Sequence, residues 1–203
     1  MRVITAAEIA EARLPLQPVY DLVLEGFDLV ARGEVECPPK LGIHPRPGAF
    51  THVMAAYVPT KDLAGTKVVS VYPDNLSKGL DATHGMILMQ SPETGTPTHL
   101  VDAVWITNAR TAMVSMVDVK YLANPEPSFG IVGATGAMGR AHIHAIATVF
   151  PGSRVHVGSR SRSRLDALLA DCAALPCELI PTDSDEAIVR ESDVVIVCTL
   201  SQS

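Results

Sequence analysis

Three glycines, Gly133, Gly136 and Gly139 in "FGIVGATGAMGR", stand where an apolar run ends and a helical pattern with Ala141, Ile143, Ile146 and Val149 begins. A glycine at the first position allows a sharp turn out of a strand. One at the second lets the backbone approach a pyrophosphate, and one at the third lets a helix pack close to a sheet. The helix start then offers unpaired amides and partial positive charge to the phosphates. The spacing is GxxGxxG, one residue longer between the first two glycines than GxGxxG. The competing reading is a strand-to-helix turn without a ligand. Further on, "VHVGSRSRSR" places Ser159 and Arg160 after the second apolar run, where an NAD site usually carries an acid. A hydroxyl and a guanidinium suit an extra ribose phosphate, so NADP(H) is preferred, with NAD(H) possible. Arg162 and Arg164 read as a solvated helix start.

Two more cations have local reasons to meet an anion. Lys67 opens "KVVSVY", and alternation puts it on the apolar face of Val69 and Val71, where an unpaired ammonium is costly. Arg110 is expected in the first turn of a helix beginning near Thr107, where a positive charge opposes the macrodipole. A carboxylate-bearing substrate would serve both, although Arg110 could equally pair with Asp102 or Asp118.

The elements that must hold these residues are readable from pattern. Val19, Val23, Phe27 and Val30 recur at helical spacing ahead of Gly33, which predicts an amphipathic helix. "ECPPKLGIHPRPGA" reads as an irregular connection. "HVMAAYV", "KVVSVY", "GMILMQ" and "HLVDAV" read as strands of an antiparallel sheet or small barrel, with "SPETGTP" as a hairpin loop. "TNARTAMVSMVDVKYLA" reads as a helix buried on more than one face, and "NPEPS" as a linker. Beyond it, strands and helices alternate as in a parallel sheet with crossover helices.

The chain has 203 residues, 47% of them hydrophobic, and a formal charge of -6, enough for two small cores and unfavourable for nonspecific nucleic-acid binding. It has neither a secretory signal pattern nor a membrane-spanning apolar run, which makes a cytoplasmic location the expectation. Cys37, Cys172, Cys177 and Cys198 lack metal-site spacing, so neither disulfides nor zinc is expected.

"GTKVVSVYPDN", "GLDATHG", "PETGTP", "DAVWITNARTAM" and "FGIVGATGAMGRAH" together resemble, in order and spacing, the ornithine cyclodeaminase and mu-crystallin family. The resemblance implies an α/β fold: an N-terminal α+β domain with an antiparallel, barrel-like sheet, followed by a partial Rossmann parallel sheet. Residues 1–124 would form the substrate-binding and dimerisation domain. Residues 125–203 would form the NAD(P)-binding domain, incomplete at its C-terminal end. The implied activity is hydride transfer at the α carbon–nitrogen bond of an amino acid or cyclic imino acid, in a homodimer with no nucleic-acid or membrane partner. Lys67 and Arg110 would be catalytic and hold the substrate carboxylate, with Lys40 in support. Lys67 would also assist proton transfer if burial lowers its pKa. Thr83, Thr111, Gly133, Gly136, Ala137, Met138, Gly139, Ser159, Arg160 and Thr199 would contact the cofactor.

The chain also departs from the family pattern. Lys40 stands where many relatives have Arg, and His52 stands where ornithine-type members have a glutamate. The family's threonine aligns with Ala82, with Thr83 adjacent. His84, His142 and His144 read as surface or packing residues. Relatives continue beyond the fourth parallel strand and supply an aspartate for acid-base work, so the last strand is expected to have a bare edge. The alternative is a protein that binds NADPH, like mu-crystallin, without turnover.

Overall fold

The computed structural model describes residues 1–199. Contacts divide it into two compact units, the first comprising Met1–Leu14 and Glu25–Thr107. Strand β1 (Arg2–Ile4) leads into helix α1 (Ala6–Ala12), whose start is held by a capping box between Thr5 and Glu8. Helix α2 (Gln17–Ala31) follows, then β2 (Leu41–Arg46), β3 (Ala49–Val58), β4 (Leu63–Val71), β5 (Thr83–Gln90) and β6 (Pro97–Asp102). The six strands form one sheet in the order β1-β6-β5-β4-β3-β2, antiparallel except where β1 runs parallel to β6. The expected hairpin turn between β5 and β6 is present, with Gly95 at φ +71° and the Ser91 amide donating to the Thr96 carbonyl.

The stretch read as an irregular connection contains β2. This edge strand is exposed at every residue and pairs with β3 through a register shift between Ile43 and Arg46, which accommodates Pro45. One face of the sheet lines up Leu41, Val53, Val68 and Met86 across four strands, with Leu41, Val68 and Met86 exposed at 72%, 36% and 50%. The other face lines up Met54, Lys67, Ile87 and Val101.

The second unit comprises Pro15–Leu24 and the chain from Asn108 onward. The division therefore falls inside α2 and inside α3 (Val104–Leu122). The stripe expected on α2 splits accordingly. Val19 and Val23 pack with buried Tyr20 on the second unit's core, whereas Phe27 and Val30 are exposed and Leu29 is buried instead. Next come β7 (Phe129–Val132), α4 (Ala137–Val149), β8 (Arg154–Val157), α5 (Arg162–Asp171), β9 (Glu178–Pro181), α6 (Asp185–Arg190) and β10 (Val194–Val197). All four strands are parallel, in the order β10-β7-β8-β9. Phe129, Ile131, Val155 and Val157 are fully buried against Ile143 and Ile146 of α4 and Met113 and Met116 of α3. Strand β10 is an edge strand among the described residues, with Val195 and Val197 exposed.

Ser128 joins the two ends of this sheet in sequence. Its amide and hydroxyl donate to the Asp193 carboxylate at 2.9 and 2.7 Å, just ahead of β10. These bonds hold the Asp193 carboxyl below its ordinary pKa.

Candidate functional site

The strand order reverses around β7, whose successors lie on one side as β8 and β9 and on the other as β10. Open parallel sheets bind ligands at such a switch point, at the carboxyl ends of the strands. The glycine turn sits there. Gly133 has φ +82°, and a Cβ on it would lie 3.1 Å from the Cys198 carbonyl group and 3.2 Å from Thr199 Cγ2. A Cβ on Gly139 would come within 2.6 Å of Ala134 Cα and O, so α4 closes on the turn as tightly as backbone allows. Gly136 is different. It caps α4 with φ −78° and ψ 169°, is exposed, and a Cβ there would meet nothing nearer than the Gly133 carbonyl at 3.6 Å. The space over Gly136 and the exposed Ala137 is open at the amide end of a thirteen-residue helix, which fits a diphosphate.

Met138 is half-buried beside them. Thr199, exposed at the end of β10, forms the wall behind Gly133. Ser159 follows β8, half-buried, and accepts the Ser161 amide at 3.2 Å; Arg160 is exposed. Arg162 pairs with Asp166 at 3.0 Å on the α5 surface.

Arg110 is not in the first turn of its helix. Helix α3 begins at Val104, whose amide donates to Asp102 Oδ1 at 3.0 Å, so Arg110 lies in the second turn and the macrodipole does not explain its environment. Burial does. Its Nε is buried and has no hydrogen-bond partner among the described residues, and burial pushes the guanidinium below its ordinary pKa. Neither Asp102 nor Asp118 forms an ion pair with it there. A guanidinium stays charged, so this one suits an anionic ligand. Thr111 follows it, half-buried.

The second unit also contains a hub that the sequence reading passed over as a packing histidine. His142, 3% exposed, has Nδ1 2.9 Å from the Met138 carbonyl and Nε2 3.1 Å from Ser115 Oγ. A carbonyl only accepts, so Nδ1 carries the proton and the Ser115 hydroxyl donates to Nε2. Burial lowers the imidazole pKa, which keeps this arrangement neutral. Cys198 lies 3.6 Å from Nδ1, its thiol pushed up to about 11 by burial. The imidazole thereby fixes the first turn of α4 to α3. The four-residue spacing from Met138 was the only sequence signal for it.

Lys40, Lys67 and Thr83 belong to the first unit. Lys67 is half-buried on the face of Val69, between Met54 and Ile87 on the neighbouring strands, as alternation required. Lys40 is exposed just ahead of β2, and Thr83 opens β5 opposite Val71. His52 on β3 lies across from Gly42 and Val69 and stacks on Phe50 at 4.4 Å.

Comparison with known proteins agrees with this geometry. The model of the ornithine cyclodeaminase/mu-crystallin family matches residues 2–203. The nodulation efficiency protein NfeD of Rhizobium meliloti is 30% identical over 98% of this chain and 62% of its own. A Delta(1)-pyrroline-2-carboxylate reductase of Burkholderia ambifaria is 32% identical over 85% of this chain and 55% of its own. Among solved structures, the Thermococcus litoralis Delta(1)-pyrroline-2-carboxylate reductase in complex with NADH and L-proline superposes with a TM-score of 0.89 at 27% identity, covering 97% of this chain and 61% of that one. An archaeal alanine dehydrogenase dimer with bound NAD gives 0.85 at 26% identity, covering 98% and 60%. The chain thus spans about 55–62% of the length of these relatives. With the glycine turn at the switch point and the matched span running nearly end to end, the chain belongs to the ornithine cyclodeaminase/mu-crystallin family.

Proposed function

We propose that the protein is an NAD(P)-dependent oxidoreductase acting at the α carbon–nitrogen bond of an amino acid or cyclic imino acid. The observation that carries this reading is the open amide end of α4 over Gly136, framed by the close approaches at Gly133 and Gly139. Supporting it, relatives that reduce Delta(1)-pyrroline-2-carboxylate share about a third of the aligned residues, and a similar structure holds NADH with L-proline.

In this reading Gly133, Gly136, Ala137, Met138 and Gly139 hold the diphosphate by backbone amides, and Thr199 borders the same turn. Ser159 and Arg160 take the ribose end, and their lack of an acid favours NADPH over NADH. Thr83 and Thr111 contact the nicotinamide portion. A bound nicotinamide accepts a hydride from the α carbon of an amino acid, or returns one to an imine carbon. Arg110 contributes a fixed charge for the substrate carboxylate. Lys67 serves the same acid and assists proton transfer, with Lys40 adding positive charge. Positioning of the acid then supplies much of the acceleration. The sheet face bearing Leu41, Val53, Val68 and Met86 is the surface by which two copies associate, because a contiguous exposed apolar face is costly in water.

Titration with NADPH and NADH, followed by loss of reduced-nicotinamide absorbance with Delta(1)-pyrroline-2-carboxylate, tests this reading. Binding with turnover supports it. Binding of nucleotide without turnover of any imino or amino acid supports a carrier instead, and no response to either nucleotide refutes both.

A further inference from the structure

The peptide unit that joins Met138 to Gly139 lies in the first turn of α4, and it is held at both ends. Arg140 makes the first bond along the helix, its amide donating to the Gly136 carbonyl at 3.0 Å, and Gly136 has no side chain with which to cap the amides of Ala137, Met138 and Gly139. Those N–H groups are the ones a diphosphate would meet. The Gly139 amide shares its peptide plane with the Met138 carbonyl, and across a trans peptide the two point in opposite directions. Pinning that carbonyl down the helix therefore aims the Gly139 N–H out of the helix start. The carbonyl has two donors. Helix geometry gives it the amide of His142, four residues on, and the imidazole of the same residue adds Nδ1–H at 2.9 Å. A hydrogen bond at the carbonyl also polarises the N–H at the other end of the peptide. At Gly139 the backbone of Ala134 leaves no room for even a methyl group, so the plane cannot swing there. The imidazole is fixed in turn. It is buried, Ser115 Oγ lies 3.1 Å from Nε2, and Cys198 Sγ, at the end of β10, lies 3.6 Å from Nδ1. An apolar ring would fill the same space without an N–H to aim.

We propose that His142 is a positioning residue for the nucleotide: through the Met138 carbonyl it orients and polarises the Gly139 amide toward the diphosphate. The inference rests on the oxidoreductase reading above, deepens its cofactor site, and needs only residues of the second unit.

Dissociation constants for whichever of NADPH and NADH binds the parent more tightly, measured by calorimetry for His142→Gln, His142→Asn and Ser115→Ala, test it, with melting temperatures to verify folding. The side-chain amide of Asn matches the Nδ1 position of histidine, whereas that of Gln matches Nε2 and does not turn back to Met138. His142→Gln should weaken the nucleotide by about two- to tenfold, the value of one hydrogen bond, and His142→Asn should restore most of that loss. Ser115→Ala cuts the tie to α3 but leaves Nδ1–H on the carbonyl, so it should melt lower while binding nucleotide within about twofold of the parent. A merely structural role would make affinity follow melting temperature instead. In the unmodified protein, the Gly139 amide proton should move downfield in amide nitrogen–proton correlation spectra when nucleotide is added, a readout that requires no variant to fold. Unchanged affinity in His142→Gln, His142→Asn binding no tighter than His142→Gln, a Ser115→Ala loss as large as that of His142→Gln, or an unmoved Gly139 amide overturns the proposal and leaves the oxidoreductase reading standing. Failure of the parent to bind either nucleotide overturns both.

Discussion

Substituting two glycines three residues apart in one turn should give opposite phenotypes. At Gly136 the backbone is in an ordinary extended conformation and a new Cβ meets nothing nearer than 3.6 Å. Gly136→Asp therefore introduces no strain and supplies a better N-cap together with a negative charge at a helix amide end. These effects amount to a few tenths to about 1 kcal/mol of added stability, or a rise of up to about 4 °C in a chain of this size. The same carboxylate occupies the space proposed for the diphosphate. Two like charges about 4 Å apart repel by about 1 kcal/mol in water and about 4 at an effective dielectric of 20, so NADPH affinity should fall by roughly tenfold or more. Gly139→Ala works the other way. Its Cβ would sit 2.6 Å from backbone atoms of Ala134, which cannot rotate aside. Overpacking of this kind costs about 1–3 kcal/mol and should lower the melting temperature by about 2–12 °C. Thermal melts with and without NADPH read both effects. A Gly136→Asp protein that binds NADPH as tightly as the parent would refute the placement of the diphosphate, and one as destabilised as Gly139→Ala would refute the account of the turn.

Three further outcomes are expected. Arg110→Met should leave the melting temperature unchanged or higher, because it removes a buried guanidinium nitrogen without a partner, yet weaken binding of amino acids by about 10- to 150-fold, the value of a charge-assisted hydrogen bond. Ser159→Asp combined with Arg160→Ala should shift nucleotide preference toward NADH by about fivefold or more in the ratio of dissociation constants, as one added charge near the ribose predicts. Asp193, its pKa depressed by Ser128, contributes stability that is complete above the ordinary aspartate range and is lost as pH falls through its folded value. Asp193→Asn should therefore flatten the acid limb of a plot of melting temperature against pH; an unchanged limb would show that the clasp does not stabilise the fold.

The parallel half of the molecule was legible because its apolar runs, glycine turn and helix periods all agree, from Phe129 to Val197. Strand β2 was not, because Pro45 and an exposed edge register remove both the alternation and the burial by which a strand is read. Helix α2 kept its period but not its single face, since its two ends pack in different units and leave Phe27 and Val30 outside. Arg110 was picked out for its charge and misplaced by a turn, because the strand pattern was carried through Val104, whereas β6 ends at Asp102, whose carboxylate accepts the Val104 amide and starts the helix there. His142 was expected to be a surface or packing residue and is buried, but its hydrogen bonds were not legible. Its partners, Ser115 and Cys198, are 27 residues upstream and 56 downstream, so no local pattern announces them.

Because β10 aligns beside β7 rather than β9, the wall behind Gly133 comes from the last described residues of the chain. As the chain emerges from a ribosome, β7, β8 and β9 are available well before Cys198 and Thr199. The glycine turn is thus open on one flank until synthesis has passed residue 199. A nascent chain halted before that point should fold its α4 packing yet, if the proposed diphosphate site is right, grip nucleotide poorly.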